Sequence, residues 1–201
     1  MNCLPVEATI DLGSLWEWYD SEPELRCAVF TGAGHKAFCT GIDLKQRLAI
    51  LETGDVAFEY RFGNMSNRTG KKPIIVAFGG FEIVFNADVI FASPNASFQL
   101  PEVLRGVSAL AGALPRCMVL FGNHRTMDLC LTGRVLSVEE AMQRGLVKEI
   151  VPQDKLLERA LDFASEIAAL CPDSVIISAS SERGLGDGYL SCYNERTGDL
   201  R

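Results

Sequence analysis

The chain has 201 residues, of which 48% are apolar and 22% charged, the composition of an ordinary folded domain and not of a disordered one. Its 19 Lys and Arg stand against 26 Asp and Glu, a formal charge of −7, which argues against a general electrostatic grip on nucleic acid or anionic lipid. One domain is the default at this length, and such a chain can bury a substantial core without staples.

Ala8 to Tyr19 places Leu12, Leu15, Trp16 and Tyr19 at helical spacing and predicts an amphipathic helix, broken by Ser21-Glu22-Pro23. Cys27-Ala28-Val29-Phe30 is a short apolar run ended by Thr31-Gly32-Ala33-Gly34, which reads as a buried strand and a glycine turn. A helix is expected over 43–59 and a loop over 61–72. Pro73 to Phe78 predicts a second buried strand, closed by Gly79-Gly80. Phe81 to Ala87 reads as helix; Val89 to Phe91 and Ser97 to Leu100 read as strands. Helix dominates from Ser108 onward. Ser137-Val138-Glu139-Glu140 has the capping-box pattern, in which the serine side chain meets helix N–H groups and the glutamate reaches back. Gly145 ends that helix. Lys148 to Val151 predicts a last short strand and Gln153 to Leu170 a long amphipathic helix.

Strands alternating with helices predict an α/β domain with crossover connections. Ser181 to Gly188 holds three glycines in eight residues, and the rest to Arg201 lacks an apolar period. The expected organisation is therefore a core over residues 1–180 and a loose tail over 181–201.

The seven cysteines are odd in number, widely spaced and free of any Cys-x-x-Cys pair, so reduced intracellular thiols are expected, not a disulfide framework or a zinc ribbon. The first residues lack the basic and apolar regions of a secretory signal. The longest uncharged runs are far too short to span a bilayer. Asp199-Leu200-Arg201 is not a peroxisomal tripeptide. The reading is an intracellular protein without membrane insertion, with peroxisome, mitochondrion and cytosol unresolved. Without an export signal the sequons at Asn64, Asn67 and Asn95 read as chance triplets.

Candidate chemistry is sparse. Residues Lys36 to Leu44 lie between a glycine turn and a helix start, where backbone N–H groups lack intrahelical partners and can donate to an anion. Gly79-Gly80 marks a second such junction, and two N–H groups aimed at one point would form an oxyanion hole. Glu82 sits in the apolar run Phe81, Ile83, Val84, Phe85, and Glu102 lies between Pro101 and Val103-Leu104. Apolar surroundings raise a carboxyl pKa toward general acid–base values. Each feature also has a plain structural reading: a strand-to-helix turn, a first-turn carboxylate on a helix dipole, a surface residue after proline. His35 and His124 lie far apart without metal-ligand spacing, so no metal site is expected. Ser108 lacks the second glycine of a nucleophile elbow. Gly32-Ala33-Gly34 lacks the third glycine of a dinucleotide fingerprint. Cys39 has no base nearby in sequence and reads as a packing residue.

These residues, in order, resemble the enoyl-CoA hydratase/isomerase (crotonase) family. The similarity runs from Ala28–Gly34 into Lys36–Leu44, then through Lys72–Ala77, Gly79-Gly80-Phe81-Glu82, Ala87–Ala92, Phe98–Val103, Leu131-Thr132-Gly133-Arg134 and Gly145-Leu146-Val147. It covers roughly residues 1–178. The resemblance implies a crotonase-like ββα spiral core with a helical C-terminal part. It implies an acyl-CoA thioester as substrate, coenzyme A being part of the substrate, and neither a metal nor another cofactor. It places the oxyanion hole at the N–H groups of Ile42 and Gly79, and the acid–base pair at Glu82 and Glu102. It further implies that Ala37, Ile42, Asp43, Leu44 and Lys45 line the acyl-CoA site. Two carboxylates favour hydration over double-bond isomerisation alone, in fatty-acid oxidation or the making of a fatty-acid-derived product. The family assembles as a homo-oligomer, a trimer or hexamer; the resemblance extends this to the present chain provided the closing helices are dispensable.

The sequence departs from the family in three places. The connection between the Pro73 strand and Gly79 is shorter by roughly six residues, about 20 Å of extended chain, and Phe78 stands where a glycine is usual. Set beside the family, the chain is expected to lack the opening strand hairpin and to carry the glycine-rich tail after Ser180 in place of the closing helices. A non-catalytic family member acting by association with full-length relatives is the alternative reading; a family thioesterase or decarboxylase is disfavoured by the presence of both glutamates.

Overall fold

A computed structural model describes residues 2–34, 38–39, 41, 46, 52, 65, 68, 70, 72–78, 83–106 and 112–182. The helix expected over 43–59 and most of the loop over 61–72 fall outside these residues.

The first helix, α1 (Val6–Ser21), follows the extended Pro5 and carries Glu7 in its first turn, where a negative charge suits the helix dipole. Its buried stripe is Thr9, Gly13, Trp16 and Tyr19. Leu12 is half-buried against the core, whereas Leu15, expected on the same face, is exposed.

Strands β1 (Ala28–Thr31), β2 (Ile74–Phe78) and β3 (Val89–Ala92) form a parallel sheet. Between β2 and β3 the expected helix is reduced, among the described residues, to the 3-10 turn Val84–Asn86. After β3 come β4 (Ser97–Gln99) and a second 3-10 turn, Glu102–Arg105. Helices α2 (Ala113–Phe121) and α3 (Asn123–Thr132) lead to β5 (Val135–Ser137), which pairs antiparallel with β4 and carries no sequence signal of its own. Helix α4 (Val138–Gln143), β6 (Glu149–Ile150), α5 (Leu156–Ala168) and α6 (Pro172–Glu182) complete the order. The sheet order is β1-β2-β3-β6, all parallel, which is the expected α/β architecture. Helix α6 runs across the expected core–tail boundary at residue 180; residues 183–201 lie outside the described part.

The continuous apolar text of β2 follows from burial on both faces. Ile74 and Val76 point into the larger core with Trp16, Phe85 and Phe98. Ile75 and Ala77 point into a second core with Phe91, Leu156, Ala160 and Ala164, formed where α5 packs across the sheet. Asp88 accepts the Ile74 N–H at 2.7 Å through Oδ2, satisfying the first donor of the central strand.

Two polar clusters fasten the chain. Asp20 accepts from Arg68 Nε at 3.1 Å, and its other oxygen from the far guanidinium nitrogen and from Lys72 N at 3.3 Å. Lys72 Nζ donates to the carbonyls of Tyr19, at 2.8 Å, and Glu22, so a cation sits at the carbonyl-rich end of α1. A side chain on Gly70 would overlap the Asp20 carboxylate, at 1.8 Å. In the second cluster, Ser137 Oγ accepts the Glu140 N–H at 3.2 Å, as a capping box requires. Glu140 does not complete the box: its carboxylate accepts from Arg134 at 2.7 and 2.9 Å and from Arg144. Arg134 holds the Glu140 carboxyl below the usual carboxylate range.

Candidate active site

In parallel strands every carboxyl end lies at the same edge of the sheet, the edge where open α/β sheets bind ligands. The pairings Thr31↔Ala77 and Phe78↔Ala92 set the exits of β1, β2 and β3 side by side. Thr31 Oγ1 donates to the Ala77 carbonyl at 2.9 Å and ties the first two exits together. Strand β2 extends through Phe78 in full register, so the short connection to Gly79 is not gained by shortening the strand.

Beyond β1 the chain turns back over its own exit. A Cβ on Gly32 would lie 2.6 Å from Phe38 Cα and 2.9 Å from Phe38 O, so only glycine lets the two backbones approach this closely. Phe38 is held from beneath by an edge-to-face contact with Phe30 at 5.0 Å, and Phe30 in turn by Trp16 at 5.5 Å. Past Phe38, the Gly41 N–H donates to Cys39 Sγ at 3.4 Å, and the Gly41 carbonyl accepts the Leu4 N–H at 2.9 Å. Cys39 thus has a polar role at this corner besides the packing role expected of it.

Leu4, Phe30, Gly32, Phe38, Cys39 and Ile83 line a pocket of about 150 Å³ at this edge. Ile83, Val84 and Phe85, which follow Glu82 in sequence, are buried, as the apolar run around that carboxylate requires.

Glu102 opens the 3-10 turn Glu102–Arg105, entered from Pro101 at φ −80° and ψ 0° and closed by Gly106 in the left-handed region at φ 70°. This turn packs on the end of α3. Gly133, at φ 59°, sits directly beneath it: a Cβ there would lie 2.8 Å from Leu104 Cγ and 3.2 Å from Val103 Cγ1. Leu104 and Val103 are themselves exposed, whereas the Glu102 Oε2 beside them is buried. On α3, burial and then the Glu102 charge raise the pKa of the Cys130 thiol. Glu102 does not line the pocket at the β1 exit.

Of the site residues expected from sequence, Glu102 is thus placed on a defined turn. Ala37, Ile42, Asp43, Leu44, Lys45, Gly79 and Glu82 lie outside the described residues, although Gly41, Phe78 and Ile83, their immediate neighbours, are described. Asp20 and Arg68 carry no signal in the sequence, and Lys72 and Asp88 enter it only as members of family motifs, without a role. Arg68 and Lys72 lie in a Gly/Asn-rich stretch that reads as solvated loop, and their carboxylate partner is 48 residues away from Arg68. Among the described residues no group of three or more His, Cys, Asp or Glu is arranged to hold a metal ion, and no helix is long and apolar enough to cross a membrane.

The chain is similar to known proteins over nearly its whole length. It is 42% identical over 200 residues to the mevalonyl-coenzyme A hydratase of Beauveria bassiana, covering 91% of this chain and 71% of the relative. It is 38% identical over 186 residues to the mevalonyl-coenzyme A hydratase of Aspergillus fumigatus, covering 88% and 68%. Among solved structures, a carnitinyl-CoA dehydratase from Mycobacterium avium superposes with a TM-score of 0.82 at 34% identity, over 92% of this chain and 75% of that one. The model of the enoyl-CoA hydratase/isomerase family matches residues 1–181. With the parallel sheet, the buried β2 and the carboxylate-bearing turn in their expected order, the chain belongs to the enoyl-CoA hydratase/isomerase family and has the crotonase fold.

Proposed function

We propose that the protein interconverts an α,β-unsaturated acyl-CoA thioester and its 3-hydroxyacyl-CoA by addition or removal of water. Water oxygen bonds to C3 as one of its O–H bonds breaks. Negative charge passes through the double bond to the thioester oxygen, and a proton is delivered to C2. Glu82 and Glu102 hold the water and move the proton. The N–H groups of Ile42 and Gly79 receive the developing enolate oxygen, a preorganised pair of donors of the kind that contributes about 10²–10³ in rate per donor. The carbon chain is neither oxidised nor reduced overall, so the step calls for no electron carrier.

One observation carries this reading: a chain that bears glutamates at both positions the family resemblance implies, Glu82 and Glu102, is 42% identical to a mevalonyl-CoA hydratase. Isomerisation would need only the second carboxylate. The relatives compared above are all named for adding or removing water at a CoA thioester, which disfavours the non-catalytic alternative. Their names make mevalonyl-CoA and its dehydration product the first substrates to test, ahead of straight-chain enoyl-CoA. The trimer or hexamer belongs to the same proposal.

The test is loss of the conjugated enoyl thioester absorbance on mixing with purified protein. Replacement Glu102→Gln removes a general acid–base group and is expected to lower kcat by about 10²–10⁴. Absence of turnover by the folded wild type across branched and straight enoyl-CoA substrates overturns the reading, as does an undiminished Glu102→Gln variant.

A further inference from the structure

We infer that Gln99 is a positioning residue for Glu102: its side-chain amide ties strand β4 to the end of α3 and thereby fixes the turn that carries the carboxylate. The inference rests on the acid–base role proposed for Glu102.

The chain reaches Glu102 from β4, whose ladder with β5 runs Ser97↔Ser137, Phe98↔Leu136 and Gln99↔Val135. The ladder stops there, and Pro101, lacking an N–H, has no donor with which to extend it. The Gln99 side chain reaches past the end of the ladder instead: its Nε2 donates to the Gly133 carbonyl at 2.7 Å. Gly133 is where α3 ends, and carbonyls at a helix end lack intrahelical donors. The bond is partly buried and joins residues 34 positions apart. It thus fastens the strand before the turn to the helix on which the turn packs.

Gly133 meets the chain on both sides of the carboxylate. Before Glu102, Gln99 holds the Gly133 carbonyl. After it, Leu104 lies so close that a Cβ on Gly133 would be 2.8 Å from Leu104 Cγ. Between these contacts Leu100 is buried in the core, and the Leu104 N–H donates to the Pro101 carbonyl at 3.1 Å, closing the turn. Glu102 is therefore suspended between two contacts with a single residue of α3. Its Oε2 is buried although Val103 and Leu104 are exposed, so its place is set by how the turn sits on α3 and not by its apolar neighbours in sequence. Gln99 acts through the turn, as one of the two contacts that seat it.

The test removes this one donor. Gln99→Met keeps the length of the side chain without the amide; Gln99→Asn keeps the amide but draws it back by one methylene, and decides the matter should the methionine variant fail to fold. Two readouts are taken. One is kcat and KM for hydration. The other needs no turnover: the Cys130 thiol on α3 has its pKa raised by burial and then by the Glu102 charge, so the pH midpoint of its alkylation in the native protein reports how near the carboxylate is held. Each substitution is made in wild type and in Glu102→Gln.

Glu102→Gln is expected to lower the Cys130 midpoint. In Gln99→Met and Gln99→Asn the midpoint falls part of that way, and kcat falls about tenfold or more with KM within about twofold, since a displacement of about 1 Å can cost about 10²-fold. In the Glu102→Gln background neither substitution moves the midpoint or kcat further, because Gln99 acts through that carboxylate. A wild-type midpoint in both Gln99 variants overturns the inference, as does a wild-type kcat. Equal falls of the midpoint with and without the Glu102 charge also overturn it, since packing then explains the effect. So does a midpoint unmoved by Glu102→Gln, which would mean that the carboxylate is not held against α3. A folded wild type without turnover removes the acid–base reading of Glu102 itself, while the midpoint still decides whether Gln99 places that residue.

Discussion

Replacing Gly133 by alanine probes the ground on which Glu102 stands. The residue is left-handed, at φ 59° and ψ 24°, and a non-glycine residue there costs about 1–2 kcal/mol. The new Cβ would also meet Leu104 Cγ at 2.8 Å, Leu104 Cδ1 at 3.1 Å and Val103 Cγ1 at 3.2 Å. Carbon atoms prefer about 3.5–4.0 Å, and overpacking of this kind adds about 1–3 kcal/mol. Gly106 is the control within the same turn: its φ 70° and ψ 22° are nearly the same, and nothing lies within 4 Å of its would-be Cβ. Gly106→Ala should therefore cost only the backbone part, and Gly133→Ala about 1–3 kcal/mol more. Leu104 is 63% exposed, so Leu104→Ala alone should stay within about 0.5 kcal/mol. In that background the Gly133→Ala penalty should shrink by about 1 kcal/mol, a coupling expected between touching residues. Equilibrium urea unfolding with an unchanged m-value reads each number, and about 2–4 °C in Tm accompanies each kcal/mol. Equal costs for Gly106→Ala and Gly133→Ala, with no coupling to Leu104, would refute the close packing of this turn on α3.

Other perturbations act elsewhere. Asp20→Ala leaves the buried Arg68 and Lys72 without their carboxylate and should cost about 3–5 kcal/mol in urea unfolding; a loss below about 1 kcal/mol would show that cluster to be solvated. The depressed pKa of Glu140 means that its ion pairs stabilise the fold above the unfolded carboxyl pKa of about 4.3. That stability is lost as pH falls through the folded value, so Glu140→Gln should flatten the acid limb of a urea-midpoint profile below about pH 5; an acid limb as steep as that of wild type contradicts this. Thiol alkylation followed by mass spectrometry should modify Cys171 first, because the backbone N–H and hydroxyl of Ser174 lower its pKa, and Ser174→Ala should slow it. Cys27, pushed up to about 11 by burial and then by the Asp88 charge, should resist at pH 8; early labelling there would contradict the packing around β1.

The elements legible from sequence are those whose burial is written in consecutive residues. Ile74-Ile75-Val76-Ala77 could only be a strand covered on both faces, and it is. Ser137 announced a helix start by a local bond that any such start can make. The proposed acid–base and oxyanion residues rest on the order of family motifs alone; of these, Glu102 is the one whose position the structure describes. What was not legible depends on partners far away in the chain. Strand β5 exists because β4, some 38 residues earlier, offers it a ladder. Glu140 forsakes its capping role because Arg134 and Arg144 reach its carboxylate first. Leu15 shares the helical spacing of Trp16 but falls outside the arc that meets the core.

By itself, then, the sequence determined the class of fold, because periodicity and residue type report what each stretch of backbone must bury or present; the chemistry of its carboxylates it implied only through resemblance to a family. The tertiary structure alone decided that a backbone N–H at Leu4 would hold the carbonyl of Gly41, that Gly32 would lie against Phe38 and Gly133 against Leu104 at contact distance, and that Asp20 would pair with Arg68. Those contacts join residues separated by many positions, and their energies exist only once the fold has brought them together.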